Sequence, residues 1–368
     1  MLSKETRYCA GCGVPIQTED PQRSGYVPPE ALEREHLVCR RCHRIRHYNE
    51  VGKTERTADD FRTVLQELTT QEALVVHIVD IFDLEGSWIP ELSRYIGDNP
   101  LLLVANKVDL LPQSVRPEKI EKWLAQFVKG RKTDPVDIVL CSVKMNLNVE
   151  RVVEKIEEYR NGRDVYIVGA TNVGKSSFIN RLLQQYGDGE GDEITTSYYP
   201  GTTLDAIRIP LDDNREIVDT PGIVNEDRLS ERVSPDELRL IVPKTVIHPK
   251  VYQLNDGQTL FFGGLGRLDF KRGPRQPFVC YMAKDLYIHR TKTERADSLY
   301  AEHVGKMLSP PFEKGTLPPM WKQSFHVRGE KTDIVISGLG WVTCRGDAAE
   351  LDVYAPKGIT VSLRPALI

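Results

Sequence analysis

The 368-residue sequence has no uninterrupted apolar run near the roughly 20 residues that a bilayer-spanning helix needs. That shortage excludes a helical membrane protein from the expected classes, and no membrane partner is expected. Its opening, MLSKETRYCAGC, lacks the apolar core of a secretory signal, so the expected compartment is the cytoplasm. Cysteine is scarce, seven in all, and in an intracellular chain of this length that argues against a disulfide framework. Neither sign of charge is in large excess, the net being −4, so bulk charge specifies no partner. What is present is the composition of a soluble globular protein, 40% hydrophobic and 28% charged. The length allows two or three domains with real cores.

The mean charge hides a partition. Residues 1–56 hold 10 Lys and Arg against 8 Asp and Glu, and residues 229–368 hold 20 against 15. Residues 57–228 therefore hold 19 against 30, a net −11. Two mildly basic ends flank an acidic centre, a distribution compatible with nucleic-acid contact by the ends and equally with ordinary solvated surface.

Four of the cysteines cluster near the start. Cys9-x-x-Cys12-Gly13 and Cys39-x-x-Cys42 are separated by 26 residues. Two-residue spacing lets both thiolates of a pair reach one ion, and four sulfurs close a tetrahedral shell with no open position, as in a structural Zn2+ site. The competing reading is a redox dithiol, for which one pair suffices. Around the second pair, CRRCHRIRHY places four arginines and two histidines beside Tyr48, a segment suited to RNA phosphates and bases or to solvent.

The centre alternates short β-branched runs with helical patterns. Strands are expected at 73–82, 101–107, 137–142, 164–170, 206–210 and 216–220, and helices at 118–128, 148–160 and 175–186. Such alternation predicts an α/β layered fold with a largely parallel sheet. Within it, Gly169-Ala170-Thr171-Asn172-Val173-Gly174-Lys175-Ser176-Ser177 follows an apolar strand and opens a helix. In that context the spacing is a P-loop: backbone N–H groups and the helix N-terminus surround phosphates, Lys175 neutralises them and the Ser176 hydroxyl binds Mg2+. Downstream come PGTT, with Thr203, and DTPG, with Asp219 and Gly222. In the GTPase pattern these sense the γ-phosphate, Thr203 and Asp219 through Mg2+ and its water shell and Gly222 through its backbone N–H.

Upstream lies LLLVANKVDLL. Guanine alone presents N1–H and a 2-amino group side by side, and Asp109 is suited to accept both; adenine would leave that carboxylate unpartnered. Asn106 would brace the phosphate loop and the Lys107 stem would cover the base. CSVK supplies Ser142, Val143 and Lys144, matching the loop that meets guanine O6, with valine in place of the usual alanine. The base-reading motifs thus precede the phosphate loop. A circular permutation reconciles this order with a single pocket, because it moves the cut in the chain and leaves the motifs in place. Its mechanical consequence is that the second switch runs directly into the C-terminal module.

With these motifs in this order, the chain resembles the circularly permuted GTPases of the YqeH type. The resemblance implies a nucleotide-driven switch hydrolysing GTP to GDP, acting in assembly of the small (30S) ribosomal subunit through rRNA. It also implies that Asn172 holds a K+ ion beside the phosphates, where other GTPases use an arginine finger. Ile223 stands where many GTPases carry a water-orienting glutamine, so slow intrinsic hydrolysis stimulated by K+ is expected.

The expected organisation is a zinc-finger module over 1–56, a permuted GTPase domain over 57–224 and a C-terminal α+β domain over 225–368. In the last, YQLNDGQTLFFGG predicts a hairpin about an Asn-Asp-Gly turn, 297–308 a helix, and 332–344 and 358–363 strands. Its basic residues Arg267, Lys271, Arg272, Arg275, Arg290, Lys292 and Arg295, near Phe261, Phe262 and Phe270, suit RNA by stacking and phosphate contact. For each residue singly, a buried aromatic or an exposed charge is the favoured reading. The resemblance suggests an RNA platform or one for ribosomal proteins or peptides. Asp80 and Asp83 are expected to end a strand and cap a turn, with no catalytic role. Two rival functions remain: a GTPase-coupled RNA-modification enzyme using Cys280 or Cys344 as its thiol, and a non-catalytic GTP-sensing scaffold.

Overall fold

The computed structural model describes residues 70–186, 207–211, 213–345 and 348–368, with short stretches at 7, 16–19, 25–32, 37, 39 and 68. Six strands form one sheet: β1 (Ala73–Asp80), β2 (Leu101–Asn106), β3 (Asp137–Leu140), β4 (Asp164–Val168), β5 (Ile207–Pro210) and β6 (Glu216–Asp219). Their order is β3-β2-β1-β4-β6-β5, parallel except where β5 pairs antiparallel with β6 at the edge. Every residue of β1 and β2 is buried, as their largely apolar sequences require of strands covered on both faces.

The chain builds β1-β2-β3 outward in one direction and β4-β6-β5 in the other. The reversal falls between β1 and β4, and such a switch point opens a crevice at the carboxyl ends of the strands. The base-reading turn after β2 and the phosphate loop after β4 both lie on that edge. This is the circular permutation made visible: motifs inverted along the chain share one edge of the sheet.

Helices α1 (Leu84–Ser87), α2 (Leu92–Ile96), α3 (Pro117–Gly130), α4 (Val149–Arg160) and α5 (Lys175–Tyr186) accompany this sheet. In α3, Pro117 occupies the first turn and Ile120, Trp123, Leu124, Phe127 and Val128 are buried, the spacing of one apolar helix face.

The C-terminal part is richer in strand than expected. After α6 (Pro235–Ile241), two five-stranded antiparallel sheets face each other. They contain β7 (Lys250–Leu254), β8 (Gln258–Phe262), β9 (Gly266–Arg272), β10 (Gln276–Met282), β11 (Ile288–Lys292), β12 (Met320–Val327), β13 (Thr332–Ile336), β14 (Gly340–Cys344), β15 (Ala349–Pro356) and β16 (Val361–Pro365), with α7 (Thr293–His303) beside them. One sheet runs β16-β13-β14-β10-β7 and the other β11-β8-β9-β15-β12. Leu254, Phe262, Leu268, Phe270, Phe278, Val342 and Val353 fill the space between them.

The expected hairpin at Asn255-Asp256-Gly257 does not form: β7 pairs with β10, whereas β8 pairs with β9 and β11. The turn instead carries the chain from one sheet to the other. Phe261, Phe262 and Phe270 are buried, as the favoured reading had it and against the stacking alternative, whereas Arg267, expected as an exposed charge, is buried in ion pairs with Asp269 and Asp297. Lys271, Arg272, Arg275, Arg290, Lys292 and Arg295 remain exposed.

The outer face of the sheet β16-β13-β14-β10-β7 is also largely covered. Its outward residues Tyr281, Val335 and Trp341 join Val79, Phe82, Trp88, Leu103, Trp123 and Phe127 of the nucleotide-binding part in one core. Trp341 stacks on Tyr281 with centroids 5.0 Å apart and tilts against Phe82 at 5.7 Å. Trp123 Nε1 donates to the Pro365 carbonyl at 2.9 Å, and Arg364 reaches Glu85 at 2.7 Å.

Candidate nucleotide-binding site

Asn106 ends β2, the neighbour of switch-point strand β1. Its amide nitrogen donates to the Val173 carbonyl at 2.8 Å, and its oxygen accepts from the Val143 N–H at 3.1 Å. One side chain therefore joins the base-reading turn, the 142–144 loop and the phosphate loop. Gly174 has φ +102°, and a Cβ there would lie 2.3 Å from the Asn106 amide nitrogen, so both backbone and space demand glycine. Lys107 stretches between Asp80 and the Asn172 carbonyl, both at 2.6 Å.

Asp109 lies in the short 3-10 turn Val108–Leu110, with its Oδ1 buried and lacking a hydrogen-bond partner. An acceptor so placed fits a purine edge carrying donors. Behind it, burial and then the Asp109 charge push the Cys141 thiol up to about 12. Ser142 Oγ accepts from Met145 N–H at 3.1 Å, and Val143 is buried. The Lys144 amine is engaged elsewhere, 2.5 Å from the Lys244 carbonyl.

At the phosphate end, Lys175 is buried at the start of α5 and donates to the carbonyls of Gly169 and Ala170 at 2.7 and 3.0 Å. Val173 is buried, Asn172 is exposed, and Ser176 and Ser177 are half-buried in the first turn. Asn172 has φ +62°, a left-handed conformation that asparagine tolerates. The DTPG segment lies alongside. Ile223 N–H donates to Gly169 O at 3.2 Å while Ile223 O accepts from Thr171 N–H at 2.8 Å. A Cβ on Gly222 would lie 3.0 Å from Lys175 Nζ and 3.3 Å from Thr171 Cγ2. Asp219 is buried at the end of β6, paired in register with Ile167 of the phosphate-loop strand. Asn106, Asp109, Lys175, Asp219 and Gly222 thus line one edge of the sheet. Among the described residues, Ser176 and Asp219 are the oxygen donors expected for Mg2+, a hard cation suited to such ligands.

Thr203 and the zinc candidates Cys9, Cys12 and Cys42 lie outside the described residues. Cys39 is buried with Val27 and Leu37. No group of three or more potential metal ligands occurs among the described residues, nor does any helix there have the length and apolarity to cross a membrane. Cys280 and Cys344 are buried in paired strands, and burial pushes the Cys280 thiol up to about 12, which is unsuited to nucleophilic work.

Two neighbours of the phosphate loop, Arg228 and Glu231, were not anticipated. Asp80 ends β1 as expected, but Asp83 makes no side-chain cap; its oxygens meet Arg228 at 2.7 Å and Ser337 at 3.4 Å. Arg228 and Glu231 both reach Thr171 of the phosphate loop. Their only signal is position, a charged cluster just beyond DTPG.

Residues 164–253 match the family model described as "50S ribosome-binding GTPase", and residues 275–367 match "YqeH-like, C-terminal". YqeH of Bacillus subtilis, described as uncharacterized, is 49% identical over 98% of this chain and 99% of its own. This chain belongs to the YqeH family. Its GTPase domain makes it a GTP hydrolase, with GTP, GDP and Mg2+ as the ligands that domain implies. Another family relative, NO-associated protein 1 of Arabidopsis thaliana, is 32% identical over 98% of this chain and 76% of its own. Among solved structures, GNP-bound YlqF from T. maritima covers 50% of this chain and 66% of its own, with TM-score 0.31 and 20% identity.

Proposed function

We propose that GTP lies across the sheet edge, guanine at Asp109 and phosphates in the 169–176 loop, and that its hydrolysis drives a switch in assembly of the small (30S) ribosomal subunit. The observation that carries the pocket is the Asn106 side chain, bonded at once to Val143 and Val173. In this reading Asp109 accepts N1–H and the 2-amino group, and the 142–144 loop meets O6. Lys175 neutralises the β- and γ-phosphates. Gly222 N–H senses the γ-phosphate, while Ser176, Thr203 and Asp219 serve the Mg2+ site, the last through water.

Ile223 has no group to orient water, and its backbone is already stitched to the phosphate loop. The missing charge then comes from K+ at Asn172, and hydrolysis is slow without it. Equal rates in Na+ and K+ would remove Asn172 from this role. A structural Zn2+ at Cys9, Cys12, Cys39 and Cys42 organises the N-terminal module. A ribosomal partner is supported by the description of the matched GTPase model, which names the 50S particle; the choice of the small subunit and its rRNA rests on the YqeH resemblance. The C-terminal domain serves as the RNA or peptide platform through its exposed lysines and arginines.

Two measurements test the proposal. Calorimetry should show GTP bound at least 100-fold more tightly than ATP, and comparable affinities would sink the pocket assignment. Co-sedimentation with 30S and 50S particles under GTP, GDP and a non-hydrolysable analogue should show state-dependent binding to 30S. Association with 50S alone would redirect the partner, and association with neither would remove the ribosomal role.

A further inference from the structure

We infer that Glu231 and Arg228 are positioning residues for the phosphate loop, acting through Thr171. Thr171 is the third residue of that loop, and its methyl group faces Gly222, on the γ-phosphate side in the reading above, on which this inference rests. Both polar groups of Thr171 available to a neighbour are taken from behind. Its hydroxyl donates to Glu231 Oε1 at 2.7 Å, and its carbonyl accepts from Arg228 Nη1 at 3.0 Å.

The two holders are themselves fixed. Arg228 Nε donates to Asp83 Oδ2 at 2.7 Å, with both side chains only 4% exposed, and Nη1 lies 3.7 Å from Glu231. A planar guanidinium set between two carboxylates keeps its remaining N–H in one direction. There is no slack beneath it: a Cβ on Gly86 would lie 2.4 Å from Asp83 Oδ2, 2.4 Å from Ser337 Oγ and 2.8 Å from Arg228 Cγ. Leu229 N–H is further bonded to Ser337 O at 2.9 Å.

The wall facing the γ-phosphate is therefore set by side chains that touch no nucleotide. GDP ends at the β-phosphate, so loosening Thr171 on the γ side should slow turnover of GTP more than it weakens GDP binding. The same full-length chain would be made as Thr171→Val, Thr171→Ser, Glu231→Ala and the Thr171→Val/Glu231→Ala double variant. GTP turnover, GDP affinity by fluorescent-nucleotide titration and thermal melting would be measured on each.

Thr171→Val and Glu231→Ala should each lower kcat about fivefold or more. The double variant should be no worse than either, Thr171→Ser should recover most of the turnover lost in Thr171→Val, and GDP affinity should fall less than kcat throughout. Multiplicative losses in the double variant, equal losses of GDP affinity, or unchanged kcat would overturn the positioning role. If Glu231→Ala does not fold, the Thr171 pair decides alone: serine active with valine impaired supports the role, and equal rates refute it. Failure of the parent chain to bind GDP would instead sink the pocket, a separate outcome.

Discussion

Asp109 and His77 illustrate how single buried atoms set properties of this GTPase. In the pocket proposed above, the Asp109 carboxylate, whose Oδ1 is buried and unpartnered, accepts from the two adjacent donors of guanine. Replacing Asp109 by Asn substitutes a donor for an acceptor, so GTP affinity should fall by about 100-fold or more. Affinity for xanthosine triphosphate, whose 2-oxo group accepts, should rise; titration with both nucleotides checks the exchange, and a proportional loss for both would refute it. His77, fully buried in β1, is held neutral to about pH 3 by burial first and by the nearby Lys175 charge second, against a weaker opposing contact with the Ser87 backbone. The unfolded chain protonates this imidazole below about pH 6.5, whereas the folded chain does not. Its contribution is therefore neutral above pH 6.5 and turns destabilising as pH falls toward 3, by about 1.4 kcal/mol per unit. Urea titrations between pH 7 and 5 should show a shallower decline for His77→Phe than for the parent.

The α6 helix shows what an element owes to its first turn. Ser234 and Glu237 form a reciprocal cap: Glu237 N–H donates to Ser234 Oγ at 3.3 Å and Ser234 N–H to Glu237 Oε2 at 2.8 Å. Ser234→Ala should cost about 1 kcal/mol. Glu237→Ala should cost more, about 1–3 kcal/mol, because Glu237 Oε1 also accepts from Phe312 N–H at 2.6 Å; chemical denaturation would rank them.

The six strands of the nucleotide sheet were legible, because their apolar runs and flanking motifs are local properties, whereas the Ser-Pro-Asp-Glu cap of α6 was not among the expectations although its pattern is local too. The ends of α3, α4 and α5 fell within one or two residues of expectation for the same reason. What was not legible depends on distant partners. An Asn-Asp-Gly turn looks alike whether the chain folds back or changes sheets, and only the pairing of β7 with β10 decides it. Asp83 has the spacing of a cap, yet its partner Arg228 is 145 residues away. Arg267 looked like a phosphate contact until Asp269 and Asp297 were brought to it. The Asn106 brace was legible because asparagine, glycine and lysine spacing encode it directly.

On the scale of the whole molecule, the sheet β16-β13-β14-β10-β7 is shared property. One face closes the C-terminal sandwich, and the other shields α3 and the nucleotide sheet. The two parts should therefore melt together: calorimetry of the full chain should give one main transition for residues from 70 onward, and GDP should move that transition as a unit. Trp341→Ala, emptying the centre of the shared core, should cost about 3–5 kcal/mol and lower the temperature of that same transition. Two separated transitions would refute the coupling. A practical corollary concerns fragments. A protein ended at residue 224 would bare Phe82, Trp88, Trp123 and Phe127 to water, a sticky aromatic patch prone to clumping, so enzymology on an isolated G domain would measure a damaged catalyst.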